Sequence, residues 1–235
     1  MKNIELNISY KNNIVHVEFP NQYELCSTMI RFQEYYESSY EEIKGKVFTL
    51  ETYMDLYAKD KGNFTYFSDW DGFNVSGSSI CSFLLDVEHS GGFLSKKEQR
   101  LFDILKVAMG GFEPEENDYF YLIATHKKNK KSIKHEYAHA YYNLYVDYKK
   151  SVTLLINKIL EDNESSKFYN EIINKLSKMG YSDDVLDDEF QAYLSTSTYD
   201  EMCNIFNCNK TITMKIMKLF KGELNKFIKE NYARK

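Results

Sequence analysis

Residues 117–144 read NDYFYLIATHKKNKKSIKHEYAHAYYNL, and the pattern changes halfway along. The stretch YFYLIAT, 119–125, is an unbroken run of aromatic, aliphatic and β-branched residues, which predicts a strand. A short basic turn follows, and His126 to Lys134 is expected to be solvated. The second half then predicts a helix. Its histidines, His135 and His139, stand four positions apart, so their imidazoles share one helical face. A strand leading directly into a helix points to an α+β chain.

Zinc takes neutral imidazole nitrogens at about 2.0–2.1 Å in a tetrahedral shell. Two histidines one turn apart can supply two of those donors. Glu136 lies too far round the helix to be a third ligand of the same kind, but it can reach a water held at the same point. That is the HExxH arrangement, with the glutamate as general base. Only five histidines occur in 235 residues, and at that frequency a chance HExxH arises on the order of once in a hundred such chains. Ala138 and Ala140 flank His139 and leave room for close packing.

A catalytic zinc site needs a third protein ligand and an open fourth position. The downstream segment VLDDEFQAYLST, 185–196, is expected to be a helix with an acidic start suited to the positive end of its dipole. Glu189 in its first or second turn is the leading candidate. Ala192 would allow this helix to approach the motif helix, and Tyr193 shares a face with Glu189. Asp183, Asp184, Asp187, Asp188 and Glu201 are the competing carboxylates. Tyr193 or Tyr142 can serve as a donor to a developing oxyanion.

HEYAH followed by a helical EFQAY resembles the gluzincin metallopeptidases, in particular the small minigluzincins. The resemblance covers 119 to about 196. It implies His135, His139 and Glu189 as zinc ligands, Glu136 as the base, and a peptide or protein substrate. It also implies that the strand before the motif helix forms the cleft rim, where a substrate can add to its free edge. Thermolysin-like members carry an acidic residue four after the ligand glutamate, and it orients a histidine. Tyr193 occupies that position here, so Asp187 or Asp188 is left to do the orienting. Phage-repressor-cleaving peptidases share the same pairing of HExxH with a later glutamate before an alanine. The alternative is a non-catalytic binding or regulatory protein with a structural metal or none.

The rest of the chain sets the frame. A formal net charge of −5 gives no reason to expect nucleic acid or an anionic membrane as partner. The N-terminus has no apolar signal core and no stretch is long enough to span a bilayer. Four scattered cysteines suit a reducing, cytoplasmic setting. Ile4, Leu6 and Ile8, a KNN turn and IVHVEF predict an N-terminal hairpin closed by Pro20. Helices are expected over 23–38, from Thr49 to about 58, and from Ser78 or Ser79 onward. A capping box, Ser95 with Glu98, opens another, which stops at Gly110 and Gly111. Residues 63–77 are expected to hold a short strand and a loop, with the only tryptophan, Trp70, packed or walling a pocket. The motif helix is expected to run on or kink into VTLLINKILED. Further helices are expected from Ser165 or Ser166 to Gly180 and over 211–230, the last with Ile212, Ile216, Leu219 and Phe220 on one side. The expected architecture is α+β, mainly helical, with a small hairpin and a mixed sheet whose edge strand precedes the HExxH helix. It is read as one compact domain over 1–235, with an α/β part at 1–118 and a metallopeptidase-like core with helical C-terminus at 119–235.

Overall fold

The computed structural model describes residues 6–111, 113–114, 119–127 and 130–232. Ile4, part of the expected hairpin pattern, lies outside them, as do Asn117 and Asp118 before the expected strand and Lys128 and Asn129 of the basic turn. The chain is α+β and forms two compact units, Met1–Glu136 and Tyr137–Lys235, divided inside a helix.

In the first unit, β1 (Asn7–Lys11) and β2 (Ile14–Phe19) form the hairpin. Asn12 and Asn13 both adopt positive φ, 51° and 62°. Two such residues make the tight turn whose twist matches paired strands, and asparagine tolerates it. Then come α1 (Gln22–Glu37), α2 (Leu50–Lys61), α3 (Tyr66–Asp69), β3 (Gly72–Ser76), α4 (Gly77–His89), α5 (Lys96–Ala108) and β4 (Tyr121–His126). The sheet order is β1-β2-β4-β3. Strand β4 runs parallel to β2 and antiparallel to β3.

The strand before the motif helix is therefore an inner strand, and among the described residues β1 and β3 are the edges. Tyr121 to Ala124 are all buried, and an uninterrupted apolar run fits a strand covered on both faces. The sequence reading grouped β4 with the C-terminal half, but its partners β2 and β3 belong to the first unit. Ser76, not Ser78 or Ser79, caps α4, accepting from the Ser79 amide. The capping box of Ser95 and Glu98 is present on α5.

Helix α1 packs against β3 and β4 over a core that includes Val15, Val17, Leu25, Phe32 and Phe83. Part of this core is a cluster of phenol rings around Glu34. Tyr53 lies 5.5 Å from Tyr66 and 5.9 Å from both Tyr40 and Tyr57, centroid to centroid. Burial raises the pKa of the Glu34 carboxyl, and the neighbouring hydroxyls of Tyr66, Ser38 and Tyr53 oppose it only in part. Trp70 packs on Tyr66 and Phe73 in the same region, so it serves packing.

The second unit is helical. The motif helix α6 (Lys130–Leu144) ends before Tyr145, whose extended backbone separates it from α7 (Val146–Leu160). Then come α8 (Asn163–Met179), α9 (Leu186–Thr196), α10 (Tyr199–Phe206) and α11 (Lys210–Tyr232). Asp162, not Ser165 or Ser166, caps α8, and Gly180 ends it at φ 105°. Helix α10, which the sequence analysis does not assign, has its own capping box from Thr198 and Glu201. Helix α11 buries Ile212, Ile216, Met217, Phe220, Leu224 and Phe227. Leu219 is exposed, one position off that stripe. No helix among the described residues is long and apolar enough to cross a membrane.

Candidate metal centre

Helices α6 and α9 supply the donors. His135 is half-buried, while His139 and Glu189 are buried. One ligand atom from each lies within 4.8 Å of the other two. Nε2 of His139 stands 3.5 Å from Oε1 of Glu189. Bonds of about 2.0–2.1 Å at tetrahedral angles separate ligand atoms by about 3.4 Å. That spacing suits two groups sharing one ion.

The other side of His139 explains why its Nε2 is available. Its Nδ1 lies 2.9 Å from Oδ1 of Asp188, which leaves Nε2 turned toward Glu189. Asp188 is itself fixed. It accepts from Asn143 Nδ2 at 2.8 Å and from Gln191 Nε2 at 2.9 Å. The Gln191 amide also reaches the Ala138 carbonyl at 3.2 Å and accepts from the Tyr148 hydroxyl at 3.0 Å. A ligand histidine held by a carboxylate that is itself hydrogen-bonded is the usual outer support of a zinc site. Asp188, one residue before Glu189, thus holds the His139 ring, one of the two aspartates expected to orient a histidine.

The acidic first turn of α9 thus splits three ways. Asp187 accepts from the Tyr169 hydroxyl at 2.5 Å, Asp188 holds His139, and Glu189 faces the metal position. Of the competing carboxylates, Glu201 serves the α10 capping box. Asp183 and Asp184 precede α9 in a turn and are not in the metal-ready group. No side chain caps α9; Val185 takes the cap position.

Tyr193 lies one turn after Glu189. Its ring packs edge-on against Phe206 at 5.0 Å, and its hydroxyl lies 3.5 Å from that of Tyr181. Tyr142 is buried, and its hydroxyl is pushed up to about 12, mainly by burial and then by the charges of Asp188 and Asp187. It keeps its proton at neutral pH and can only donate or accept there.

Glu136 is 6% exposed. Its Oε2 accepts from Asn74 Nδ2 at 2.8 Å, and Asn74 Oδ1 in turn accepts from the Tyr121 hydroxyl at 2.6 Å. The sequence reading missed Asn74 and Tyr121. The only hint was the GFNVS stretch, whose alternation sets Gly72 and Asn74 on one strand face.

Compared with family models, with curated proteins and with solved structures, the chain has no match in any of the three. The reading of this site therefore rests on its own chemistry. Two borderline imidazole nitrogens and a hard carboxylate oxygen make a donor set that suits zinc with one position left for water.

Proposed function

We propose that this protein is a zinc-dependent metallopeptidase of gluzincin type, with His135, His139 and Glu189 as ligands. The observation that carries the reading is the convergence of these three side chains within 4.8 Å, with a buried glutamate, Glu136, next to the first of them. A zinc ion held there supplies a Lewis acid that polarises a substrate carbonyl and makes a bound water more acidic.

The protein's own groups do the rest. Glu136 takes a proton from the water that attacks the carbonyl carbon. It returns that proton to the amine as the carbon–nitrogen bond breaks. Asp188 keeps His139 in the tautomer that offers Nε2. Tyr193, on the same face of α9 as Glu189, is the donor to the oxyanion. Among the described residues β3 is the sheet edge nearest the base in hydrogen-bond terms, since Asn74 touches Glu136. An extended peptide adding to that edge gives sequence-tolerant binding.

The test is direct. The full chain is loaded with zinc, its metal content measured, and cleavage of a mixed peptide library followed by mass spectrometry. Wild type is expected to cleave. Glu136→Gln should keep the metal and lose about 10²–10⁴-fold in turnover. His139→Ala should lose the metal. Zinc uptake by wild type without any cleavage would instead favour a binding or regulatory protein with a structural ion.

A further inference from the structure

We infer that Asn74, held by Tyr121 and given clearance by Gly72, is the positioning residue for the Glu136 carboxylate. The inference rests on Glu136 being the base of the proposed peptidase.

Side chains on a strand alternate between its two faces. On β3, Phe73 and Val75 are buried in the core, while Gly72, Asn74 and Ser76 share the other face. In the antiparallel register with β4, Asn74 pairs with Ile123 and Ser76 with Tyr121. Asn74 and Tyr121 are therefore diagonal neighbours on one face, close enough for a long side chain to reach across. The Tyr121 hydroxyl donates to Asn74 Oδ1 at 2.6 Å, and Asn74 Nδ2 donates to Glu136 Oε2 at 2.8 Å. This order fixes the amide. Turning it over would set its oxygen against the carboxylate, two acceptors with no proton between them. A donor aimed at an ionised carboxylate is also among the stronger hydrogen bonds.

The second oxygen is located by Gly72. A Cβ at that position would lie 2.4 Å from Glu136 Oε1 and 3.0 Å from its Cδ. Gly72 does not have positive φ, so the backbone itself accepts alanine. Its missing side chain is explained by the carboxylate occupying that space. An alanine there moves the flexible end of one side chain and leaves the sheet intact. Gly72 and Asn74 thus meet the two oxygens of one carboxylate from the same strand face.

The experiment uses the full chain with zinc bound. Asn74→Ala and Gly72→Ala should each lower kcat by on the order of 10–100-fold, the usual cost of losing an outer-shell support. KM, zinc content and melting temperature should stay near wild type in Gly72→Ala. Tyr121→Phe should give a smaller loss in kcat. A readout independent of catalysis is a double-mutant cycle on the metal-free protein. Asn74→Ala and Glu136→Gln together should lower the denaturant midpoint by less than the sum of the two single losses. Unchanged kcat in both the Asn74 and Gly72 variants, or strictly additive midpoints, would overturn the inference while leaving the peptidase reading in place. A zinc-loaded wild type that cleaves nothing would overturn the peptidase reading and the positioning role with it, even if the cycle confirmed the contact.

Discussion

Glu34 and Glu189 are both nearly out of reach of water, at 8% and 5% exposure, and their neighbours differ in kind. The groups that face the Glu34 carboxyl are hydroxyls, from Tyr66, Ser38 and Tyr53. They are neutral donors, and burial outweighs them. Glu189 faces an imidazole nitrogen whose ring is held from behind by Asp188. A shifted carboxyl in a protein interior is a common pointer to a functional site. Glu34 is such a carboxyl, and it sits in a phenol cluster that packs α1 against α2 and α3. The site is marked by converging lone pairs on two helices.

The contrast can be broken at Glu189 first. Glu189→Gln replaces the proposed carboxylate ligand by an amide, and zinc should be lost on gel filtration against a weak chelator. Full retention would make Glu189 another buried acid like Glu34. Asp188→Asn should come next, costing about 10–100-fold in zinc affinity, measured by competition with a chromogenic chelator. The ring would remain, but its back support would lose its charge.

Glu34→Gln should leave the metal untouched and act on stability alone. The folded protein raises this carboxyl above its ordinary value of 4.5, so it holds the proton more tightly than the unfolded chain does. That contribution is complete below the ordinary value and disappears as pH climbs through the folded value. The denaturant midpoint of wild type should therefore fall across this window by more than that of Glu34→Gln. A constant gap between the two curves would remove Glu34 from the pH dependence. Tyr53→Phe, which removes one hydroxyl facing Glu34, should have the smallest effect, about 1 kcal/mol or less, read from urea unfolding.

Local spacing made much of the site legible. His135, Glu136 and His139 follow from helical periodicity. Glu189 follows from its place at the start of an amphipathic helix beside Ala192, and Asp188 was one of two residues expected to support a histidine. Asn74 and Tyr121 were not legible, because their contact depends on β3 lying next to β4. The same pairing information was missing for the sheet. YFYLIAT reads as a strand, but its parallel neighbour β2 is about a hundred residues away, and the edge position passed to β3. The hairpin was readable because its turn and both strands are contiguous. The caps of α4 and α8 shifted by two to four residues toward Ser76 and Asp162, since any nearby hydroxyl or carboxylate can fill that role.

Strand β4 also governs how the chain can be made. It enters the sheet between β2 and β3, yet it is synthesised after every other strand of that sheet. Until residues 121–126 leave the ribosome, β2 and β3 each expose a row of unpaired backbone groups, the kind of surface that invites pairing between chains. Nascent chains stalled shortly before Tyr121 should depend on chaperones, and truncated products ending there should be recovered as aggregates.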